Sequence, residues 1–250
     1  MWFELVADIA KLSLYVACAF AALHAYAHRR QPEWTQPLMN RRLAVLGVLT
    51  LVVTGIKVFE DVLAKESGPA DEAILWFVRH NVPPTLTGFF GVVTQTGSAK
   101  FLLPIALVAA AGLLVARRRF EAVLLGVSAI AASLVSFALK MLVGRIRPAL
   151  WESQWYWGSS FPSGHTLSTA AISTAAALCI ARIWPRAGRA AMSLAVLWTC
   201  LVAISRLVLG VHWPTDVLAA ACLGFFIPLV TSLAFDVLRR DAATGTAAGG

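Results

Sequence analysis

The chain has 250 residues, of which 59% are hydrophobic and only 14% are charged. Soluble domains carry roughly 25% charged residues, and the mean hydropathy here is +0.74, so the composition excludes a disordered protein or an ordinary soluble domain and indicates a polytopic membrane protein. The formal net charge of +8 does not indicate a nucleic-acid partner, because membrane proteins concentrate lysine and arginine in the loops on one side of the bilayer.

Seven apolar stretches predict membrane helices. A helix that crosses the hydrocarbon core needs about 20 residues, and lipid leaves an open segment no other way to satisfy its backbone. We therefore predict an all-α membrane bundle. The stretches are 9–27, 43–63, 101–116, 120–143, 166–184, 190–209 and 215–237. The third stretch is short, and it either begins before Lys100 or is extended by the arginines that follow it.

The basic loops predict how the bundle is oriented. Twelve of the 21 cations fall on one side, which should be the cytoplasm. These are Arg29, Arg30, Arg41, Arg42, Arg117, Arg118, Arg119, Arg182, Arg186, Arg189, Arg239 and Arg240. Lys57 lies within the second stretch, and eight cations fall on the opposite side. Four of those eight crowd into two short regions, 140–147 and 206, and ordinary topology does not explain that crowding.

The N-terminal stretch has two interpretations. Residues 12–27 resemble a signal-peptide core, but Glu4 and Asp8 precede it with only Lys11 as a cation, which is the wrong charge for a signal peptide. We expect an uncleaved first helix with its N-terminus outside. A helix that lies on the membrane, or cleavage of this segment, remains the alternative.

Residues 64–99 form the longest predicted extramembrane segment. Within it, residues 71–79 predict a short amphipathic helix in the membrane interface, and Pro83-Pro84 and Gly97-Ser98 then break the chain. From Asp241 onward, alanine, threonine and glycine predict a disordered tail.

Polar residues that could take part in binding or catalysis form three clusters. The first ends the fourth stretch, where Lys140 and Arg147 are seven residues apart and would share a helix face. Pro148 then marks the exit from the helix. A basic anchor at the interface is the alternative interpretation, although cations should be scarce on this side.

The second and third clusters open the fifth and seventh stretches. In residues 161–166, Pro, Ser and Gly at a helix start present free backbone N–H groups to an anion. In the third cluster, His212 and Asp216 are four residues apart, so the carboxylate can orient one ring nitrogen. Taken singly, these clusters also fit a plain helix cap and an interfacial histidine.

Together the clusters favour phosphoryl transfer, because the predicted topology places all three at the same face of the membrane. Two imidazoles, from His165 and His212, would supply a nucleophile and a general acid, and fixed cations would bind the phosphoryl oxygens. We expect no metal and no cofactor, since Asp216 and Glu152 are the only acidic residues close to these motifs in sequence.

The three clusters resemble the signature of the type-2 phosphatidic acid phosphatase family, also called lipid phosphate phosphatases. The matching pieces are Lys140 to Arg147-Pro148, Pro162-Ser163-Gly164-His165, and Ser205-Arg206 followed by His212 and Asp216. The resemblance implies a six-helix phosphatase domain over about residues 43–240. Residues 1–42 would then be an extra N-terminal membrane helix with a basic cytoplasmic loop, and residues 241–250 a tail.

This resemblance also implies roles for individual residues. His212 would attack phosphorus to form a phosphohistidine, Asp216 would fix its tautomer, and His165 would protonate the leaving oxygen. The groups implied to hold the phosphate are Lys140, Arg147, Ser163, the Gly164 backbone N–H and Arg206. Arg145 is not a signature position and is a weaker candidate. The implied substrate is a lipid phosphate or diphosphate, of the phosphatidate or undecaprenyl diphosphate type, reached from the extracytoplasmic side of the cell membrane.

Other functions stay open on the sequence alone. A transporter or proton relay also uses ionisable residues in membrane helices. Related soluble haloperoxidases hold vanadate in a similar site, and a soluble phosphate ester could replace the lipid substrate. The loop from Leu150 to Trp157 is rich in Trp and Tyr and fits either an interfacial anchor or a guide for the lipid headgroup.

Overall fold

The computed structural model describes residues 2–30, 42–151 and 158–247, and these form nine α-helices and no strand. The predicted all-α class is thereby confirmed. In chain order the helices are α1 (Trp2–Arg30), α2 (Arg42–Leu63), α3 (Gly68–Asn81), α4 (Thr87–Thr96), α5 (Ala99–Val115), α6 (Arg119–Val143), α7 (Gly164–Ile183), α8 (Gly188–Val208) and α9 (Pro214–Ala247). Short 3₁₀ turns precede α4 and α8.

Five helices in the described part of the chain are long and apolar enough to cross a membrane. They are α1, α6, α7, α8 and α9. The helices α4 and α5 form a sixth span if they are counted together, and their axes are bent by 41° at the break between them. Most of the predicted apolar stretches therefore become membrane-spanning helices of a multi-pass protein.

The second predicted stretch, 43–63, is helical, and its charged residues are confined to the C-terminal end of the helix. Its last two turns carry Lys57, Glu60 and Asp61. As expected from their spacing, Lys57 Nζ lies 2.5 Å from Asp61 Oδ1 and 3.9 Å from Glu60 Oε2. Val58 of this helix packs on the bundle through α9, so α2 is part of the fold.

The expectation that residues 64–99 lie wholly outside the bundle is wrong for α4. The predicted interfacial helix exists as α3, and the predicted break at residues 97–98 separates α4 from α5. However, α4 packs against α8, with Phe90 and Thr94 buried. Residues 87–96 carry no charge, so this helix can enter the bundle at little desolvation cost.

The last helix, α9, continues to Ala247, and the disordered tail expected from Asp241 stays a prediction. Three of the seven residues 241–247 are alanine, which has the highest helix propensity. Adding residues to a helix that is already formed also avoids the cost of nucleation. Residues 248–250 lie outside the described part of the chain.

The central helix of the bundle is α7, and 61% of its span is buried. Its buried positions are mostly alanine, serine and threonine, and small residues let membrane helices approach closely. A Cβ on Gly224 of α9 would lie only 2.5 Å from Ala170 Cβ of α7. This close contact fixes the start of α7 relative to the start of α9.

The helices α6 to α9 alternate in direction, which gives the bundle two distinct ends. One end gathers the C-termini of α6 and α8 with the N-termini of α7 and α9. At the other end, Arg182 pairs with Asp236 at 2.6 Å, and its guanidinium lies 3.8 Å from the centre of the Phe120 ring. The three polar clusters all belong to the first end.

The outer surface of the bundle is apolar. Only 6% of the span in α1 is buried, and this helix packs against α2. All four cysteines are free. Cys179 and Cys222 are buried, whereas Cys18 and Cys200 are exposed. A thiol behaves as a small apolar group, so it can lie on an apolar outer face.

Candidate active site

Four helix ends bring the three polar clusters together. The helix α6 ends at Val143, and Gly144 caps it. Gly144 has φ +60° and donates its N–H to the Lys140 carbonyl, which is a common left-handed conformation at helix C-termini. Ser163 precedes α7, and Pro214 opens α9, where proline is favoured. Gly210, with φ +65°, turns the chain between α8 and α9.

His212 lies in this turn with a side chain that is only 2% exposed. Its Nε2 is 3.2 Å from Nη1 of Arg147, which also donates to the Val211 carbonyl at 2.8 Å. On the other side of the ring, Asp216 Oδ2 lies 3.4 Å from Nδ1. This distance is longer than a good hydrogen bond, and Nδ1 has no hydrogen-bond partner among the described residues. Catalytic hydrogen bonds are often long before substrate binds.

The surroundings of His212 favour the neutral imidazole. Burial lowers the pKa of His212 well below its usual range, and the nearby charges of Arg206, Arg147 and Lys140 lower this pKa further. At pH 7 the ring therefore keeps a lone pair on one nitrogen. That neutral form is the one that can act as a nucleophile or a base.

Lys140 and Arg147 are held side by side by one carbonyl. Lys140 Nζ donates to Ser159 O at 2.7 Å, and Arg147 Nη2 donates to the same oxygen at 3.3 Å. The prediction that helix periodicity aligns these two cations is wrong, because α6 ends at Val143. The loop after α6 returns Arg147 to the site instead.

His165 lies in the first turn of α7 and is half-buried. A Cβ on the preceding Gly164 would lie 4.0 Å from Lys140 Cε, so the start of this helix faces the cation. Electrostatic interactions connect the His165 imidazole to four members of the other two clusters. These are Arg206, His212, Lys140 and Arg147. Both histidines and all three predicted cations therefore lie within electrostatic range of one another at this end of the bundle.

Ser163 joins the second cluster to the third. This residue is fully buried, its Oγ lies 3.1 Å from Thr166 Oγ1, and its backbone N–H donates to the Asp216 carbonyl at 3.2 Å. The start of α7 and the start of α9 are thus hydrogen-bonded directly. This bond holds the start of α7 beside Asp216.

Arg206 is 1% exposed, and its Nη1 donates to Thr94 Oγ1 of α4 at 2.7 Å. A buried arginine needs such partners to offset the loss of water. Thr94 belongs to none of the three sequence clusters. A single threonine in an uncharged helix carries no signal that it contacts an arginine 112 residues later.

Arg145, the weaker candidate for phosphate binding, is engaged elsewhere. Its guanidinium lies between Asp216 Oδ1, at 2.7 Å, and Asp71 Oδ2, at 2.6 Å. Asp216 and Glu152 are the acidic residues close to the motifs in sequence, and the fold adds a third carboxylate, because Asp71 reaches the cluster from α3. Asp71 and Leu75 are the buried residues of that helix. A carboxylate on the apolar face of the predicted amphipathic helix was therefore the signal that could have identified Asp71.

Two further observations concern metal ligands. Glu152 lies outside the described residues. Among the side chains that the structure describes, no three of His, Cys, Asp and Glu are grouped closely enough to hold a metal ion.

The turn that carries His212 packs against Trp151. A Cβ on Gly210 would lie 2.6 Å from the Trp151 indole. Trp151 in turn contacts the Trp76 ring of α3, with 5.7 Å between ring centres, and the Arg79 guanidinium lies 5.5 Å from its ring centre. An aromatic bridge therefore braces the His212 turn against α3.

We expect Gly210→Ala to be less stable than Gly144→Ala. Both glycines have φ near +60°, so both variants carry the left-handed backbone cost of about 1–2 kcal/mol. Only position 210 also has a steric clash, because nothing lies within 4 Å of a Cβ on Gly144. Thermal unfolding in detergent measures the difference, and equal melting temperatures would contradict this account. Adding Trp151→Ala to Gly210→Ala should recover part of the loss.

Comparison with known proteins gives matches over the region that holds the three clusters. A family model of the PAP2 superfamily matches residues 121–240. Phosphatidylglycerophosphatase B of Bacillus subtilis is 30% identical over 161 residues, which cover 63% of this chain and 79% of that protein. Decaprenylphosphoryl-5-phosphoribose phosphatase of Mycobacterium tuberculosis is 36% identical over 116 residues, which cover 43% of this chain and 58% of that protein.

Solved structures share the architecture. The crystal structure of a transmembrane PAP2-type phosphatidylglycerolphosphate phosphatase from Bacillus subtilis matches with a TM-score of 0.69 and 26% identity, over 76% of this chain and 95% of that chain. The crystal structure of LpxE from Aquifex aeolicus matches with a TM-score of 0.52 and 21% identity, over 64% of this chain and 92% of that chain. The second likeness concerns the fold alone.

Proposed function

The chain belongs to the PAP2 superfamily, and we propose that it is an integral membrane phosphatase that hydrolyses the phosphomonoester or diphosphate of a lipid. The observation that carries the proposal is the meeting of two histidines, one carboxylate and three cations at one end of the bundle. Family membership favours this enzyme over a transporter or proton relay. The phosphatase unit would extend over residues 43–240, since α2 packs against α9.

In the proposed first step, His212 Nε2 attacks phosphorus and the bond from phosphorus to the lipid oxygen breaks. The neutral state of His212 supports this role, and Asp216 is placed to hold the Nδ1 proton and stabilise the imidazolium that forms. His165 donates a proton to the leaving oxygen. The negative charge of the bound phosphate favours the protonated form of His165 that this step needs.

In the proposed second step, His165 takes a proton from water while the water oxygen bonds to phosphorus. The bond between phosphorus and Nε2 breaks, inorganic phosphate leaves, and His212 returns to its neutral form. His165 ends the cycle protonated, so the protons balance over the two steps. One histidine thus acts as acid and then as base.

The phosphoryl oxygens would be held by fixed donors. The proposed set consists of Lys140, Arg147, Arg206, Ser163 and the backbone N–H of Gly164. Three preformed cations stabilise the charge that develops on the transferred group, and this arrangement supports a reaction that needs no metal. The free N–H groups at the start of α7 add the positive end of a helix dipole.

A lipid substrate is supported by the relatives and by the position of the site. The similar proteins are named for phosphate removal from phosphatidylglycerophosphate and from a decaprenyl-linked phosphoribose, which share a phosphate and a long apolar tail. Here the site lies at helix ends of a membrane bundle, where a headgroup can enter while its tail stays in lipid. We propose a substrate of the phosphatidate or undecaprenyl diphosphate type.

The charge distribution supports a site on the extracytoplasmic face of the cell membrane. The opposite end of the bundle carries Arg182 beside Phe120, and its loops contain the basic runs 117–119 and 182–189. Short loops rich in lysine and arginine stay in the cytoplasm. The catalytic end would therefore face outward.

Phosphate release by the purified protein in lipid nanodiscs tests the proposed function. We expect turnover of at least one of phosphatidate, phosphatidylglycerol phosphate and undecaprenyl diphosphate in the presence of EDTA, and much slower turnover of glycerol 3-phosphate, which carries no tail. Release from none of these lipids would refute the proposed function. Turnover that EDTA abolishes and Mg²⁺ restores would refute the metal-independent mechanism, and faster release from glycerol 3-phosphate would refute the lipid substrate.

A further inference from the structure

A buried group of charges lies behind the site, on the far side of Asp216 from His212. Arg145 Nη1 donates to Asp216 Oδ1 at 2.7 Å, and Nη2 donates to Asp71 Oδ2 at 2.6 Å. The side chains of Asp71 and Asp216 are 1% and 0% exposed, and that of Arg145 is 16% exposed. One arginine therefore serves two buried carboxylates, and one of them comes from α3, outside the three sequence clusters.

Asp71 also binds the first turn of α9. The backbone N–H of Thr215 donates to Asp71 Oδ1 at 2.9 Å, and Thr215 Oγ1 donates to Asp71 Oδ2 at 2.7 Å. The first N–H groups of a helix have no partner within the helix, and a negative charge is favoured beside them. A carboxylate of α3 thus caps the helix that carries Asp216, across 144 residues of sequence.

The second oxygen of Asp216 is fixed from another direction. The Trp213 backbone N–H donates to Asp216 Oδ2 at 3.0 Å, and this same oxygen lies 3.4 Å from His212 Nδ1. The two oxygens of Asp216 therefore have separate partners. Arg145 holds Oδ1, and this leaves Oδ2 turned toward the imidazole.

We propose that Asp71 and Arg145 are positioning residues, which act through Asp216 to hold His212 in the orientation for attack on phosphorus. This proposal rests on the proposed function, in which His212 is the nucleophile. The planar fork of arginine can donate to two carboxylates at once, whereas the single ammonium of lysine matches that geometry poorly. The interfacial helix α3 then contributes to catalysis indirectly. Its carboxylate bonds to Arg145 and Thr215 and does not contact the residues proposed to hold the phosphate.

Asp71→Asn tests the proposal, because asparagine keeps the shape and removes the charge. We expect kcat to fall roughly 10–100-fold, as is typical when the partner of an orienting group is lost. KM should change much less, since Asp71 does not contact the substrate. The matched control is Asp236→Asn, which breaks a second arginine–aspartate pair of 2.6 Å at the opposite end of the bundle. The control should leave both constants close to those of the native protein.

A spectroscopic measurement separates positioning from a merely structural effect. In protein labelled with ¹⁵N-histidine, the His212 signals are identified by their loss in His212→Gln, and their shifts report which ring nitrogen carries the proton. We expect the Nδ1–H tautomer in the native protein and a mixture of tautomers in Asp71→Asn. Arg145→Lys should give the same mixture, and it provides the test if Asp71→Asn does not fold.

Two results would overturn the proposal. One is native-like kcat in Asp71→Asn, and the other is a fall in kcat while the His212 tautomer stays as in the native protein. The tautomer is measured without turnover. A native protein that releases no phosphate would therefore refute the proposed function, while the tautomer measurement would still decide whether Asp71 and Arg145 orient His212.

Discussion

His212→Ala is expected to abolish turnover, with a loss of at least about 10⁴-fold in kcat, because removal of a nucleophile leaves only binding and oxyanion stabilisation. The ring lies in the loop between α8 and α9 and not within a helix. The helical content and the elution of the variant in detergent should therefore match those of the native protein. Phosphate release from a lipid phosphate measures the effect.

The matched control for this variant is His24→Ala. His24 is half-buried in α1 and contacts Phe20, so this variant removes an imidazole that lies away from the site. Its activity should stay near the native level. Native-like phosphate release from His212→Ala, after dilution tests exclude a contaminating phosphatase, would refute the assignment of the nucleophile.

His165→Ala is expected to have the second-largest effect, and that effect should depend on the leaving group. A general acid contributes about 10²–10⁴-fold when the leaving oxygen is basic. The alcohol of a lipid phosphomonoester would leave as a basic alkoxide and needs this proton, whereas the phenolate of an aryl phosphate such as p-nitrophenyl phosphate leaves without it. The first step should therefore be severely slowed with the lipid and only slightly slowed with the aryl ester.

With the aryl ester, His165→Ala should also accumulate the phosphoenzyme, because the second step lacks its base. Rapid quenching with ³²P-labelled aryl phosphate measures this intermediate, and its label should be lost in acid and retained in alkali, as for phosphohistidine. An equal loss of rate with both substrates would contradict the role of general acid. His80→Ala is a suitable control, since His80 is exposed on α3 and bonds the Trp76 carbonyl.

Much of the site was predictable from local sequence. The helix starts at Ser163 and Pro214, and the spacing of His212 and Asp216, depend on residues that are neighbours in the chain, so a pattern of residue types is enough to identify them. The membrane class and most spans were predictable for a similar reason, since a span depends on the hydropathy of about 20 consecutive residues.

The roles of several charged residues were not predictable in this way. Arg147 was expected to align with Lys140 by helix periodicity, but α6 ends before it and a loop carbonyl aligns the two cations. Arg145 was expected near phosphate, but it lies between two carboxylates. Asp71 gave no motif, because its partners are more than 70 residues away.

The sequence by itself determined that this chain is an all-α membrane protein with three motifs suited to phosphoryl transfer, since hydropathy, turn residues and motif spacing are encoded over short distances. Only the tertiary structure decided that α4 supplies Thr94 to Arg206 and that α3 supplies Asp71 to Arg145. The physical reason is that a buried charge must be matched by a partner. Which residue becomes that partner depends on how distant helices pack, and no local pattern records it.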